Sequence, residues 1–327
     1  MNVLITGASG FIGSFLCEES LRRRYAVWAG MRTKSSRKYL QNEWLNFITL
    51  DLTDTNTLSR QLASFKQKHG KWDVIIHAGG ATKCLHKEEF VANNFDCTRN
   101  LVESLESMDM MPEQFLYLSS LSVLGPGLDE NNPQPNTAYG ESKLMSENYL
   151  KEKGISGLTI FRPTGVYGPR EKDYFTMVKS IDNHIDFAAG FDPQVITFVY
   201  VRDLVNAILS AIGNENAYGK TYAVSDGEEY SSRTYSDLVQ KELGRHCVLH
   251  IKAPLFILKM VCNVGDFWSR MTGRLSTLNK DKYNILSQRD WRCDITPIKE
   301  DLGYAPEWNL ERGVKESVKW YIDNKWL

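Results

Sequence analysis

Short apolar runs alternate with longer amphipathic segments through the first half of the chain, which predicts strands separated by helices. The predicted strands are 2–6, 25–29, 47–50, 74–77, 115–118 and 158–161. The predicted helices include 15–21, 56–69, 88–107 and 139–153. Helices of this length allow right-handed crossovers that cover both faces of a sheet. We therefore predict a doubly wound α/β fold built on a parallel sheet.

Beyond residue 165 the alternation is less regular, which predicts a second, smaller lobe. Residues 195–201, 203–212 and 222–224 still have the pattern of sheet and covering elements, so this lobe is expected to be interleaved with the first. A chain of 327 residues is long enough for two lobes. The predicted division is a Rossmann-type domain at 1–165, rejoined by 195–225, and a substrate lobe at 166–194 and 226–327.

A glycine-rich turn joins the first predicted strand to the first predicted helix. Glycines at 7, 10 and 13 suit a tight turn, close approach to a pyrophosphate and close packing of helix on strand. Free N–H groups and the helix dipole favour phosphate at this end. Glycines at this spacing also occur in ordinary turns, so the flanking strand and helix carry the prediction of a dinucleotide site. Its expected contacts are Gly7, Ser9, Gly10, Phe11, Ile12 and Gly13.

Charge, cysteine content and hydropathy bear on partners and location. Lys and Arg total 39 against 40 Asp and Glu, so the bulk charge favours neither nucleic acid nor an acidic membrane surface. The six cysteines form no C-x-x-C pair, and no metal site is expected. The first strand starts at Met1 without a targeting segment, so a cytoplasmic location is expected. Polar residues interrupt the apolar stretch 255–268, which predicts a cap over a substrate pocket and no membrane span.

Tyr139 and Lys143 lie four residues apart on one predicted helix, which places a phenol and an ammonium on the same face. Free tyrosine titrates near about 10, so it becomes a useful base only beside a cation. The same spacing also occurs on solvated helices. Two strand ends favour the catalytic interpretation: Ser119, Ser120 and Ser122 follow the strand 115–118, and Gly79 and Gly80 follow the strand 74–77.

A hydroxyl at the first of these strand ends is suited to hold a reacting oxygen, although serine also caps turns. The small residues at the second strand end let a ribose and nicotinamide approach. His77 is expected to be a packed strand-end residue.

These motifs together resemble the extended short-chain dehydrogenase/reductase family, of the NAD-dependent epimerase/dehydratase type. The matching positions are 6–13, 51–52, 77–80, 94–100, 119–120, 139, 143, 162–169, 198–203 and 302–321. The resemblance implies that Tyr139 is the general acid/base, that Lys143 lowers its pKa and holds the nicotinamide ribose, and that Ser120 orients the reacting oxygen. It also implies a homodimer through 88–107 and 139–153.

The same resemblance implies further cofactor contacts. They are Asp51, Leu52, Gly79, Gly80, Pro163 and Val166. Asn94 is expected either to fix the strand-end loops or to take part in catalysis. No carboxylate follows the second strand, where enzymes that prefer NAD place one. Arg32 and Lys34 occur there instead and suit a 2′-phosphate, although both also fit a solvated turn. NADP is therefore predicted over NAD.

The reaction depends on side chains rather than on the fold. No acidic pair follows Ser120, which disfavours dehydration, and 188–197 contains no base, which weakens the interpretation as a nucleotide-sugar epimerase. Segment 119–126 and the late apolar helix look more like the hydroxysteroid dehydrogenase and dihydroflavonol or aldehyde reductase branches. The leading hypothesis is hydride transfer with an apolar alcohol or carbonyl as small-molecule substrate. The residues expected either in its pocket or in an ordinary core are Phe191, Leu255, Phe256, Met260 and Trp268.

Two alternatives to this hypothesis remain open at the level of sequence. One is a nucleotide-sugar epimerase that holds NAD tightly. The other is a non-catalytic cofactor sensor, against which the intact set of Ser120, Tyr139 and Lys143 argues.

Overall fold

The computed structural model describes residues 1–273, 276 and 279–327, except for the side chain of residue 270. The strands are β1 (Asn2–Thr6), β2 (Ala26–Met31), β3 (Asn46–Thr49), β4 (Val74–His77), β5 (Gln114–Leu118), β6 (Leu158–Pro163), β7 (Gly165–Tyr167), β8 (Ile185–Ala189), β9 (Val195–Ile196), β10 (Phe198–Tyr200), β11 (Thr221–Val224), β12 (Tyr230–Ser231), β13 (Leu249–Ala253) and β14 (Asp290–Trp291). The helices are α1 (Phe11–Arg22), α2 (Thr55–His69), α3 (Lys87–Phe90), α4 (Cys97–Ser107), α5 (Ala138–Glu152), α6 (Asp173–Asp182), α7 (Val201–Ser210), α8 (Thr234–Glu242), α9 (Leu255–Thr272), α10 (Lys280–Ser287), α11 (Thr296–Leu302) and α12 (Leu310–Asp323).

A parallel sheet forms the centre of the molecule. Within the described ranges it has seven strands in the order β11-β6-β5-β4-β1-β2-β3, all running in the same direction. The central strands consist of apolar residues because helices cover both faces of the sheet, as β1 illustrates. Val3 and Ile5 face one core cluster, which includes residues of α1 and α7. Leu4 faces the opposite cluster, with residues of α2, α4 and α5. The predicted doubly wound fold is confirmed.

The segment predicted as one helix at 88–107 is interrupted. A π-helical stretch, Val91–Asp96, separates α3 from α4. Asn94 lies in this wider turn and is 1% exposed. Its Oδ1 accepts a hydrogen bond from the N–H of Ala81 at 2.7 Å, and its Nδ2 donates to the carbonyl oxygen of Ala81 at 3.1 Å. The wider turn therefore brings a side chain onto the loop that follows β4.

The second lobe is built from short pairings. The predicted strand at 195–201 forms two strands in different sheets, because β9 pairs with β12 and β14 whereas β10 pairs with β7. Thr197 separates them, and its hydroxyl donates to the carbonyl oxygen of Trp291 at 2.6 Å. β13 pairs with β8. β11 completes the large sheet, and the lobe boundaries themselves stay a prediction. None of the helices in the described ranges is long and apolar enough to cross a membrane.

Candidate active site

The predicted cofactor and catalytic residues gather at the edge of the sheet where its parallel strands end. These are Pro163 of β6, Ser120 after β5, Gly79 and Gly80 after β4, Gly7 after β1, Arg32 and Lys34 after β2, and Asp51 and Leu52 after β3. β1 and β4 are neighbours, although β2 and β3 come between them in the chain. The winding therefore reverses between them, which opens a crevice of the kind that binds ligands in such sheets. Val166 lies on β7, paired with Val199 of β10.

The turn after β1 leaves no room for side chains. Gly7 has a φ of +66°, and a Cβ there would lie 2.8 Å from the carbonyl oxygen of Ala78. A Cβ on Gly13 would lie 2.2 Å from the carbonyl oxygen of Gly7, so α1 packs directly on the turn. Gly10 caps α1 in an extended conformation without a side-chain hydrogen bond. This bare helix N-terminus fits the pyrophosphate of a dinucleotide. Ser9, Phe11 and Ile12 are half-buried beside it.

Tyr139 and Ser120 are brought together from different elements. Thr137 caps α5 by accepting a hydrogen bond from the N–H of Gly140 at 3.0 Å, which starts the helix just before Tyr139. The hydroxyl of Ser120 lies close enough to Tyr139 to lower its pKa, but burial dominates and raises the pKa of Tyr139 to about 12. Ser120 also caps the turn at Leu121–Val123, accepting from the N–H of Ser122 at 3.2 Å. The predicted substrate-orienting role and the turn-capping role therefore fall on the same hydroxyl.

Lys143 is a buried cation next to the crevice. It is 4% exposed, and its Nζ donates to the carbonyl oxygen of Leu118 at 2.7 Å and to the hydroxyl of Tyr117 at 3.3 Å. A Cβ on Gly80 would lie 2.9 Å from Oδ1 of Asn94 and 3.3 Å from this Nζ, so a side chain there would displace these groups. Burial lowers the pKa of Lys143 to about 8. The expected lowering of the Tyr139 pKa by Lys143 is not found in this arrangement, because the ammonium is directed to Leu118 and Tyr117.

A buried ion pair lies near Lys143, and no motif in the sequence predicted it. The guanidinium of Arg162 donates to Glu147 through Nη2 at 2.6 Å and Nε at 3.0 Å, with both side chains at most 4% exposed. Ser119 donates to the same carboxylate at 2.5 Å. Glu147 also raises the pKa of Lys143, opposing the effect of burial. Glu147 continues the spacing of four residues that relates Tyr139 to Lys143, which was the one signal available in the sequence.

The adenine end of the crevice carries mixed charge. Arg32 and Lys34 are exposed, and Asp51 is half-buried. Burial raises the pKa of the Cys97 thiol to about 11, and the opposite charges of Arg32 and Asp51 also act on it. Both side chains therefore lie near the start of α4. A cation after β2 and a carboxylate after β3 therefore both lie at this end of the crevice.

The substrate side differs from expectation in two ways. Phe191, Phe256, Met260 and Trp268 are each more than 60% exposed, so the interpretation as ordinary core is wrong for these four. The reason is that α9 turns Leu258 and Cys262 inward instead. Segment 188–197 contains no basic residue, but a basic side chain reaches it from another part of the chain. Arg289 donates to the carbonyl oxygen of Asp192 at 2.9 Å, and β14, which begins at the next residue, pairs with β9.

The chain is similar in sequence to proteins of known activity. Residues 3–225 match the model of the NAD dependent epimerase/dehydratase family. The chain is 23% identical to UDP-glucose 4-epimerase of Vibrio cholerae, with 98% of this chain and 95% of that protein covered. It is 22% identical to the decarboxylating sterol-4-alpha-carboxylate 3-dehydrogenase of Schizosaccharomyces pombe, with 99% of each covered.

A solved structure has the same fold. It is UDP-glucuronic acid 4-epimerase from Bacillus cereus in complex with UDP-glucuronic acid and NAD. The match has a TM-score of 0.77 at 22% identity and covers 99% of this chain and 100% of that one.

Proposed function

The chain belongs to the NAD-dependent epimerase/dehydratase family, and from that membership we propose that it is a nucleotide-sugar epimerase. The observation that carries the proposal is that Tyr139 and Ser120 lie close together at the carboxyl edge of the sheet, with Lys143 one turn along α5 and bonded to the carbonyl oxygen of Leu118. Such side chains transfer a proton to or from one substrate oxygen as it changes between a hydroxyl and a carbonyl. The epimerases of V. cholerae and B. cereus support a nucleotide sugar as the substrate class.

A nicotinamide dinucleotide, held at the glycine-rich turn between β1 and α1, would supply reversible hydride transfer at the substrate carbon. The residues of the chain transfer the proton and orient the substrate oxygen. At neutral pH the phenol of Tyr139 keeps its proton, because burial raises its pKa to about 12, and it is ready to donate that proton to a substrate oxygen. Ser120 holds the same oxygen. Lys143 lies one turn along α5, and its ammonium would stabilise a Tyr139 phenolate by turning from Leu118 and Tyr117 towards the phenol oxygen.

Two arginines next to β9 favour a substrate that carries phosphate. Arg289 contacts Asp192, whose side chain is 79% exposed. Arg292 lies three residues further on and contacts Asp290 through Nη2 at 2.5 Å. A sugar diphosphate entering beside β9 would exchange the exposed carboxylate of Asp192 for a phosphate on Arg289. This supplies the positive charge that the segment 188–197 lacks.

A second candidate function is hydride transfer with an apolar alcohol or carbonyl. The sterol dehydrogenase of S. pombe, which aligns over nearly the whole chain, favours it. So do the exposed apolar residues of α9. In this case the cofactor is consumed in each turnover, whereas an epimerase regenerates it.

We also propose that the site accepts NADP. Arg32 and Lys34 are exposed at the end of β2 and are free to bind a 2′-phosphate by charge-assisted hydrogen bonds. Asp51 opposes this preference, because its carboxylate lies near the same position. The solved neighbour holds NAD. Comparing the Kd values of the two cofactors by titration decides the question, and tighter binding of NAD rejects the proposal for NADP.

One assay separates the two candidate functions. The purified protein is passed through gel filtration, then incubated with UDP-hexoses, steroids, flavonoids and aldehydes while the absorbance of the reduced cofactor is recorded. Interconversion of a UDP-hexose without net cofactor turnover supports the epimerase. Stoichiometric cofactor turnover with an apolar substrate supports the second candidate and rejects the first.

A variant tests the site that both candidates share. Tyr139→Phe is expected to lower kcat by about 10²–10⁴-fold. Tyr149→Phe is the matched control on the same helix, because the hydroxyl of Tyr149 has no hydrogen-bond partner among the residues that the structure describes. Unchanged activity in Tyr139→Phe contradicts the mechanism for either substrate.

A further inference from the structure

The helix α9 presents an apolar face to solvent. Its apolar residues that are more than 60% exposed recur at intervals of three, four or seven and form one stripe, consisting of Phe256, Met260, Val264, Phe267, Trp268 and Met271. Phe256 is 73% exposed and Met271 is 71% exposed. The opposite side of the helix holds the buried Leu258, Cys262 and Ser269. A surface helix normally buries its apolar stripe, whereas α9 leaves this stripe exposed in addition to the apolar residues that it buries.

A second exposed apolar face ends where α9 begins. In the pairing of β13 with β8, Ile251 lies opposite Phe187. Phe187 is 60% exposed, and Leu249, two residues before Ile251 on the same face, is 63% exposed. Only Pro254 separates β13 from α9. Contiguous exposed apolar surface of this kind usually marks a site of interaction.

The charge of this part of the chain is unlike that of the rest. Residues 245–289 carry eight Lys and Arg against two Asp and Glu, whereas the remaining residues carry 31 against 38. The formal net charge of −1 for the whole chain therefore conceals a strongly basic segment. Lys252 and Lys280, which flank α9, are both exposed.

We propose that α9 docks the protein onto the surface of an anionic lipid bilayer. An amphipathic helix with Trp and Phe on its apolar face and lysines around it lies in the headgroup region, where both properties contribute to binding. A second copy of this chain fits less well, because two surfaces of the same strong positive charge would repel each other. An anionic bilayer would bury the apolar stripe and place negative headgroups next to the surrounding lysines.

This surface is connected to the catalytic helix. α9 packs against α10. The carboxylate of Asp281 in α10 accepts a hydrogen bond from the N–H of Ala138 at 3.2 Å. Ala138 is the first residue of α5 and precedes Tyr139. Docking through α9 would therefore hold the active site one helix away from the lipid surface. The proposal does not depend on which substrate the site takes.

Sedimentation with vesicles tests the proposal on the full chain. Vesicles of phosphatidylcholine containing phosphatidylglycerol are compared with pure phosphatidylcholine at low and high salt. We expect binding to the anionic vesicles that weakens as salt screens the lysines. Absence of binding to them overturns the proposal, as does equal binding to both kinds of vesicle.

Variants identify the surface that binds. The triple variant Phe267→Ser, Trp268→Ser, Met271→Ser is expected to weaken partitioning by about tenfold or more. The pair Lys252→Gln and Lys280→Gln is also expected to weaken it about tenfold. Trp44→Ser is the matched control, because Trp44 is 76% exposed outside this segment. Circular dichroism and thermal unfolding check that each variant is folded.

Two outcomes would contradict the proposed surface. If the triple variant binds vesicles as the wild type does, α9 is not the docking element. If light scattering shows an oligomer that the triple variant dissociates, while the wild type ignores the vesicles, the face belongs to a second copy.

Discussion

His77 is a neutral imidazole that links three parts of the nucleotide-binding half. Its Nδ1 contacts the Thr6 hydroxyl at 2.7 Å, and its Nε2 contacts the Thr98 hydroxyl at 3.0 Å. Burial, assisted by the charge of Lys143, lowers the pKa of His77 to about 3. The unfolded chain binds a proton at this residue below about 6.5, whereas the folded protein does not. The free energy of unfolding should therefore fall as pH decreases from 6.5 towards 3.

The predicted contribution of His77 between pH 6.5 and pH 5 is about 2 kcal/mol. Urea unfolding at both pH values measures it. His77→Gln retains polar contacts but does not titrate, so this variant should start less stable and lose less stability on acidification. An equal loss in the two proteins would show that other groups carry the acid sensitivity.

Glu147 provides a second prediction at this scale. Glu147→Gln leaves the buried Arg162 without its counter-charge, which should lower the free energy of unfolding by about 3–5 kcal/mol. It should also lower the pKa of Lys143 below about 8, because Glu147 raises that pKa. Denaturant unfolding measures the first effect, and the pH profile of kcat measures the second. Glu152→Gln, an exposed residue on the same helix, is the control and should change neither.

The sequence pointed to those candidate site residues whose spacing is local. Tyr139 and Lys143 stand out because one helix turn relates them. The partners of Glu147 could not be identified in this way, since Arg162 lies on β6 and Ser119 follows β5. Nor could the effect of burial on Tyr139, because the solvent exclusion at a side chain depends on packing between elements. The direction of a pKa shift therefore required the structure.

At the scale of elements, the turn between β1 and α1 offers a sharp test. In Gly13→Ala the new methyl group would lie 2.2 Å from the carbonyl oxygen of Gly7, a backbone atom that has little freedom to move. We expect a loss of about 3 kcal/mol or more in stability, together with weaker dinucleotide binding. Thermal unfolding and cofactor titration measure the two effects.

Gly127→Ala is the control for this substitution. Within the described ranges, a Cβ on Gly127 would meet no atom within 4 Å. Its stability and cofactor affinity should equal those of the wild type. Equal behaviour of the two variants would mean that the turn rearranges to accept a side chain.

The sequence predicted strands and helices where the hydrophobic periodicity is strong. It did not predict the places where a side-chain contact alters the backbone. β4 has the predicted bounds, because four consecutive apolar or packed residues fill a fully buried strand. The π-helical stretch at Val91–Asp96 has no signature in periodicity, since it serves a contact between Asn94 and Ala81. The helical pattern at 255–268 correctly indicated α9, but periodicity cannot distinguish an apolar face that is buried from one that is exposed.

For the whole molecule, the parallel order of the sheet followed from alternation, whereas contacts between distant parts of the chain did not. Arg289 meets Asp192 from a position 97 residues away, and no local pattern indicates this. The epimerase hypothesis was weakened on the sequence alone by the absence of a base in 188–197. Tertiary structure restores a base to that place, which changes the weight of the two candidate functions.

The oligomeric state is the remaining prediction at this scale. A homodimer through 88–107 and 139–153 would cover the outer side of α5, where Met145 is 39% exposed. Light scattering should give twice the chain mass of 37.4 kDa. Met145→Asp would bury a charge in that interface, so it should shift the protein towards the monomer. Met177→Asp is the control, because Met177 is 37% exposed on α6, away from the predicted interface. A wild-type mass of 37.4 kDa at working concentration rejects the dimer, and dissociation by Met177→Asp but not by Met145→Asp moves the interface to α6.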